Sequence, residues 1–279
     1  ALSCPDDART AATAADQAQK AWATLPQGER LDALTRFARE LEARREPMAQ
    51  AITAEMGKTL REARVEANAV AGWSHRVATQ QVPRVQPWTT PGVQGECRYH
   101  PLGVIGVIGP YNFPLHLMHA QLVPALATGN AVVLKPSERT PLAAQIYVEA
   151  WEAAQLPPVL QLVQGDGRVG AALLEAPELR GVAFTGSWST GHAIERALLD
   201  RPEVLVALEM GGQNMSIVLD DADMDQAVEG SLLGGFLTTG QRCTCTSRVL
   251  VQAGVSETFI ERLVEAASHL SWGDPTREV

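Results

Sequence analysis

The sequence predicts an α/β protein: a Rossmann-like parallel sheet with helices on both faces, an N-terminal helical region before it, and the truncated start of a second α/β catalytic domain after it. Three observations lead there. From Val104 onward, short apolar runs recur, each followed by a turn signal and a helical stretch, as expected of strands buried on both faces. Residues 8–80 are rich in Ala, Arg, Glu and Gln at helical spacing. The chain has 279 residues, 46% hydrophobic and 20% charged, enough to bury one large core or two smaller ones.

In the helical region, Gly28 and Pro47 punctuate the pattern and Gly57 marks a helix end. Leu31, Leu34, Phe37, Ala38 and Leu41 form one apolar stripe opposite Arg30, Arg36, Arg39, Glu40 and Arg44, which reads as core packing. From Pro83 to Pro101 repeated Pro and Gly exclude a helix. Glu96-Cys97-Arg98-Tyr99-His100 there reads as part of an exposed hairpin arm, a feature that usually seeks another chain or domain. Strands follow at 104–108, 131–134, 160–163 and 181–184, then 204–208 running into Glu209, and 215–219. Thr140-Pro141 places a cap residue before a proline at the first helical position. Asp223-Met224-Asp225-Gln226 approaches a capping box. Its helix ends around Gly234-Gly235 and delivers Cys243 on the next turn.

Bulk properties exclude several classes. A net charge of −9 disfavours nonspecific binding to nucleic acid or an anionic membrane surface. No apolar run approaches the roughly 20 residues that span a bilayer, and no signal peptide is visible. Four cysteines, Cys4, Cys97, Cys243 and Cys245, are too few for a disulfide scaffold and point to a reducing cytoplasm. Cys243 and Cys245 lack further ligands nearby, so no metal centre is expected. His116 and His119 sit in an apolar helical run and read as packing residues.

Five segments bear chemistry. Gly240-Gln241-Arg242-Cys243-Thr244-Cys245 puts a thiol in a tight polar turn, and Leu208-Glu209-Met210-Gly211-Gly212 puts a carboxylate at a strand end. Thiol and carboxylate together suit covalent aldehyde chemistry: attack on the carbonyl carbon, then activation of water to release the acyl group. Gly186-Ser187-Trp188-Ser189-Thr190-Gly191 opens a helix, where backbone amides and the helix dipole suit a pyrophosphate; taken alone, the segment is better explained by a plain N-capped turn. Lys135-Pro136-Ser137-Glu138 follows a buried strand, at the edge where open parallel sheets bind ligands. Glu138 there would accept hydrogen bonds from ribose and repel a 2′-phosphate; a solvated ion pair is the alternative. In Pro110-Tyr111-Asn112-Phe113-Pro114, Asn112 is either a preorganised oxyanion donor or the cap of the next helix.

In order and spacing these segments resemble the aldehyde dehydrogenase superfamily over essentially the whole chain. The resemblance implies NAD as cofactor, with Cys243 as nucleophile, Glu209 as the base that activates the hydrolytic water, and Asn112 with the Cys243 backbone amide as oxyanion donors. It implies Lys135 and Glu138 at the adenosine ribose, the Gly186–Gly191 turn at the pyrophosphate, and Tyr111 near the same cleft. It divides the chain into a NAD-binding domain (1–81 and 102–209), an oligomerisation arm (82–101) and the start of a catalytic domain (210–279). The chain would then be a fragment, and the full-length protein a homo-oligomer. Relatives that pass the acyl group to coenzyme A commonly lack the Glu209 equivalent, so its presence implies a free acid product. Leu-Glu-Met-Gly-Gly and Gly-Gln-Arg-Cys-Thr-Cys are similar to N-succinylglutamate 5-semialdehyde dehydrogenases of arginine catabolism, although Gln213 and Met215 depart from the commoner superfamily pattern. Oxidation of another aldehyde, such as succinate semialdehyde, remains open. So does a non-catalytic NAD-binding module for the chain alone.

Overall fold

The structure, a computed structural model, describes residues 2–80 and 84–277. The expected boundary at 81/82 and Pro83 lie outside the described residues. Four helices open the chain: α1 (Pro5–Thr24), α2 (Gln27–Ala43), α3 (Arg45–Met56) and α4 (Leu60–Ala78). Gly57 closes α3 as expected, but Gly28 does not interrupt anything. The break falls at Leu25-Pro26, and Pro26 is the residue before α2. Leu31, Leu34, Phe37, Ala38 and Leu41 are buried as the stripe required.

A hairpin of β1 (Val85–Thr90) and β2 (Val93–Arg98) follows, antiparallel and largely exposed, with Trp88 opposite Gly95. Next come β3 (Val104–Ile108), α5 (His116–Ala127), β4 (Ala131–Lys135), α6 (Pro141–Ala153), β5 (Leu160–Leu162), α7 (Gly167–Glu175), β6 (Leu179–Gly186), α8 (Trp188–Ala197) and β7 (Leu205–Met210). The five strands form one sheet, all pairs parallel, in the order β5-β4-β3-β6-β7. The chain moves outward from β3 to β5, then returns to place β6 on the other side of β3. That reversal opens a crevice at the carboxyl ends of β3 and β6, where ligands of such sheets bind. Every residue of β3 and β4 is buried, explaining the uninterrupted apolar runs.

Two caps differ from expectation. Thr140 precedes α6, yet its side chain makes no capping bond. The carboxylate of Glu55 in α3 instead accepts from Leu142 N at 2.7 Å and Ala143 N at 2.9 Å. Likewise α5 begins at His116, and Glu66 of α4 accepts from Leu115 N and His116 N, both at 3.0 Å. An acid on a neighbouring helix, half-buried at Glu55 and buried at Glu66, thus serves each row of free amides.

Beyond β7, β8 (Asn214–Val218) and β9 (Thr246–Val251) pair in parallel, joined through α9 (Met224–Phe236) and followed by α10 (Ser256–Ser268). Val218, Val228 and Phe259 form a second, smaller core. Asp223 caps α9 as expected, accepting from Asp225 N and Gln226 N. The helix runs past Gly234-Gly235 to Phe236. A side chain at Gly234 would collide with Thr246 Oγ1 of β9, so close packing, not termination, explains that glycine.

Candidate active site

A cleft of about 980 Å³ lies along the carboxyl edge of the sheet. It brings together most of the segments singled out in the sequence. Tyr111, Asn112, Lys135, Glu138, Gly186, Ser187, Ser189, Thr190 and Cys243 all line it. Trp188, Gly191 and Glu209 do not.

At one end, Lys135 ends β4 with its side chain only 6% exposed, 3.7 Å from the half-exposed Glu138 carboxylate. Its amine also donates to Pro136 O at 3.1 Å. Burial pulls the Lys135 pKa down, and Glu138 opposes the shift. The pair therefore exists, as the simpler reading held, but the lysine is a buried cleft residue rather than a solvated one. Beside it, Ser187 caps α8 by accepting from Thr190 N at 3.2 Å. The Trp188 ring turns away from the cleft and stacks on His192, 5.1 Å between centroids. Gly191 acts indirectly: a side chain there would strike Met210 Sδ at 2.5 Å, so it lets α8 approach the edge strand.

At the other end stands the exposed thiol of Cys243. Its turn is tied down from three sides. Asn112 Nδ2 donates to Gln241 O at 2.9 Å, and the Tyr111 hydroxyl bonds to the Gln241 side chain. Asn214 Nδ2, at the start of β8, bridges Cys243 O (2.7 Å) and Cys245 O (3.0 Å). Cys245 Sγ reaches Gly235 O at 3.5 Å, so it anchors the turn to α9 as well as filling space. Asn112 is thus not the cap of α5, whose first amides belong to Glu66. Glu66 in turn pairs with the buried Lys58 at 2.6 Å, and the Lys58 amine lies 3.8 Å above the Phe113 ring. Burial lowers the pKa of Lys58, against the pull of Glu66.

Glu209 leaves β7 on the exposed side, opposite Leu208 and Met210, which pack against the core. In register it pairs with Thr185, which does line the cleft. One strand spacing, roughly 5 Å, separates neighbouring strands of a sheet. Among the described residues the Glu209 carboxylate makes no hydrogen bond or ion pair. Asn214, Gln241 and Glu66 were not visible in the sequence as site residues. Each acts through a hydrogen bond to a group far away in sequence, and no local spacing announces it.

His119 is fully buried, its ring nitrogens bonded to Ser74 Oγ (3.1 Å) and Tyr147 Oη (2.7 Å), in keeping with a packing role. Among the described residues no group of three or more His, Cys, Asp or Glu could hold a metal ion. Among the described residues no helix is long and apolar enough to cross a membrane.

Comparison with known proteins agrees with this geometry. An N-succinylglutamate 5-semialdehyde dehydrogenase of Burkholderia mallei is 41% identical over 276 residues, covering 95% of this chain and 55% of that protein. The betaine aldehyde dehydrogenase of Staphylococcus aureus in complex with NAD+ superposes with a TM-score of 0.94 at 30% identity, over 99% of this chain and 56% of that one. A crystal structure of an NAD-dependent aldehyde dehydrogenase from Sinorhizobium meliloti matches with a TM-score of 0.94 at 33% identity, over 99% and 56%. The chain therefore spans about half the length of the relatives it matches. A profile described as the aldehyde dehydrogenase family matches residues 2–279, and with cleft, sheet order and thiol turn in agreement, the chain belongs to that family.

Proposed function

We propose that this chain is the NAD-binding and nucleophile-bearing part of an enzyme that oxidises an aldehyde to a free carboxylic acid. The observation behind this is that Cys243 and Asn112 share one cleft with Lys135, Glu138 and the N-terminus of α8. The residues present fit the cofactor. The amide end of α8 suits a pyrophosphate, Glu138 and Lys135 suit ribose hydroxyls, and Leu174, Ala193 and Ile194 offer an apolar wall to an aromatic base. NAD, when bound, accepts a hydride.

Cys243 Sγ attacks the carbonyl carbon to give a thiohemiacetal. The Asn112 amide carries two N–H bonds and spends one on Gln241 O. The second, with the Cys243 backbone N–H, receives the oxyanion, and a donor held in advance costs no reorganisation. After oxidation the acyl group remains on sulfur as a thioester. Glu209, beside Thr185 and without bonds to hold it back, takes a proton from the water that hydrolyses the thioester. Because that base is present, the product is a free acid rather than an acyl-coenzyme A.

For the substrate, the relatives' name favours N-succinyl-L-glutamate 5-semialdehyde, going to N-succinyl-L-glutamate, with succinate semialdehyde the other candidate. Cys4, Cys97, Cys243 and Cys245 are all free, which suits a reducing cytoplasm. The exposed β1–β2 arm is read as the contact of a homo-oligomer. The test is aldehyde-dependent NADH formation with both semialdehydes, in wild type and Cys243→Ala. We expect activity in wild type, higher with the succinylated substrate, and none in the variant. Activity surviving in Cys243→Ala would remove the nucleophile assignment. Calorimetric NAD binding with no NADH formation in wild type would favour a non-catalytic binding module.

A further inference from the structure

The turn that presents Cys243 begins in an unusual conformation. Thr238 and Thr239 have φ of 55° and 54°, and Gly240 follows at 70°. Successive threonines in the left-handed region are outliers, because a β-branched side chain crowds the backbone there. Such a conformation persists only where the surroundings over-determine it. Here the contact that comes from outside the turn is a carboxylate of α4. Glu62 Oε1 accepts from Thr238 N at 2.7 Å and from Thr238 Oγ1 at 3.3 Å. Thr238 itself is 1% exposed.

The chain of bonds continues to the residue before the thiol. Thr238 Oγ1 accepts from Arg242 Nε at 2.9 Å, and the Arg242 guanidinium lies 5.5 Å from the centroid of Phe113, the neighbour of Asn112. At its other end Glu62 is fixed to the start of α4. Thr59 Oγ1 donates to Glu62 Oε2 at 3.1 Å and accepts from Glu62 N at 3.3 Å, a reciprocal arrangement at the helix N-terminus. One rigid helix end is therefore wired to both flanks of the thiol turn, at Thr238 and at Arg242. Glu62 does not line the cleft, so it cannot act on substrate directly.

We propose that Glu62 is a positioning residue for the nucleophile: by holding Thr238 in its left-handed conformation, it fixes Cys243 against the Asn112 amide. This rests on Cys243 being the nucleophile. Without Glu62, Thr238 relaxes toward an ordinary backbone conformation, Arg242 loses its acceptor's anchor, and the thiol samples orientations away from Asn112. The same carboxylate geometry is available to glutamine, whose carbonyl oxygen can accept both Thr238 bonds. Charge is therefore secondary and acceptor position is primary.

The experiment is alkylation of the intact chain by iodoacetamide, followed by peptide mass spectrometry, with exposed Cys97 as an internal reference. In Glu62→Ala the Cys243 rate should fall about fivefold or more relative to Cys97, since the turn sets how openly the sulfur meets the reagent. Glu62→Gln should restore it to within about twofold. Thr238→Ala, which keeps the backbone bond and removes the hydroxyl link, should fall in the same direction by less. In aldehyde oxidation the Glu62→Ala defect should appear in kcat, with NAD affinity unchanged. An unchanged Cys243-to-Cys97 ratio in folded Glu62→Ala overturns the proposal, as does a ratio that Gln cannot restore. Should Glu62→Ala not fold, the Thr238→Ala ratio decides. Failure of the dehydrogenase reading would show separately, as wild-type chain that forms no NADH, and leaves the alkylation comparison intact.

Discussion

Glu209 and Met210 are adjacent in sequence and face opposite ways: Met210 lines the cleft while Glu209 points from the exposed side of the edge strand. This division bears on timing. On the proposed mechanism the base is not needed until the thioester has formed, and Glu209 would stand aside during thiol attack and hydride departure. Glu209→Gln should accordingly leave a rapid burst of NADH while lowering steady-state turnover by roughly 10²–10⁴, the usual contribution of a positioned general base. Rapid-mixing kinetics measure both phases, and wild-type turnover in the variant would exclude the role. At this scale the sequence revealed residues whose surroundings are local. Cys243 and Asn112 are fenced by Gly, Pro and aromatic neighbours that mark a fixed turn. Asn214 and Glu62 escaped notice because their partners, Cys243 and Thr238, are 29 and 176 residues away.

Elements repeat the lesson and add a pH dependence. Strands β3 and β4 were legible because burial on both faces imposes unbroken apolar runs, whereas β9, partly exposed along its length, was not read. The caps of α5 and α6 were not legible either, because Glu66 and Glu55 come from helices of the preceding region. Helix α5 also contains the fully buried His119, whose pKa burial depresses from 6.5 to about 3, with a lesser push from His116. The folded state therefore keeps this imidazole neutral, whereas the unfolded chain protonates it below about 6.5. Between those values the unfolded state binds more protons, so stability is complete above the unfolded pKa and declines as pH falls toward 3. Denaturant melts from pH 7 to 4 should show that slope. His119→Gln, which can bond both Ser74 and Tyr147 without titrating, should flatten it; an unchanged slope would assign the acid sensitivity elsewhere.

Across the whole molecule, the cleft draws on segments that are otherwise independent: the ends of β3, β4 and β6, the first turn of α8, and the turn carrying Cys243. A ligand that touches all of them should stabilise the fold as a unit. For a ligand bound only by the folded state, a hundredfold excess over Kd adds about 2.7 kcal/mol. In a protein of this size that corresponds to a rise in Tm on the order of 5 °C. NAD should produce it. NADP should produce clearly less at equal concentration, because its 2′-phosphate would meet the Glu138 carboxylate at close range, where like charges repel. Glu138→Gln removes that repulsion but keeps a ribose acceptor, so the gap between the cofactors should narrow through a gain for NADP. Thermal melts with each cofactor decide the matter. Equal shifts for NAD and NADP in the wild-type chain would mean that Glu138 does not face the ribose, and the cofactor's direction along the cleft would have to be reversed.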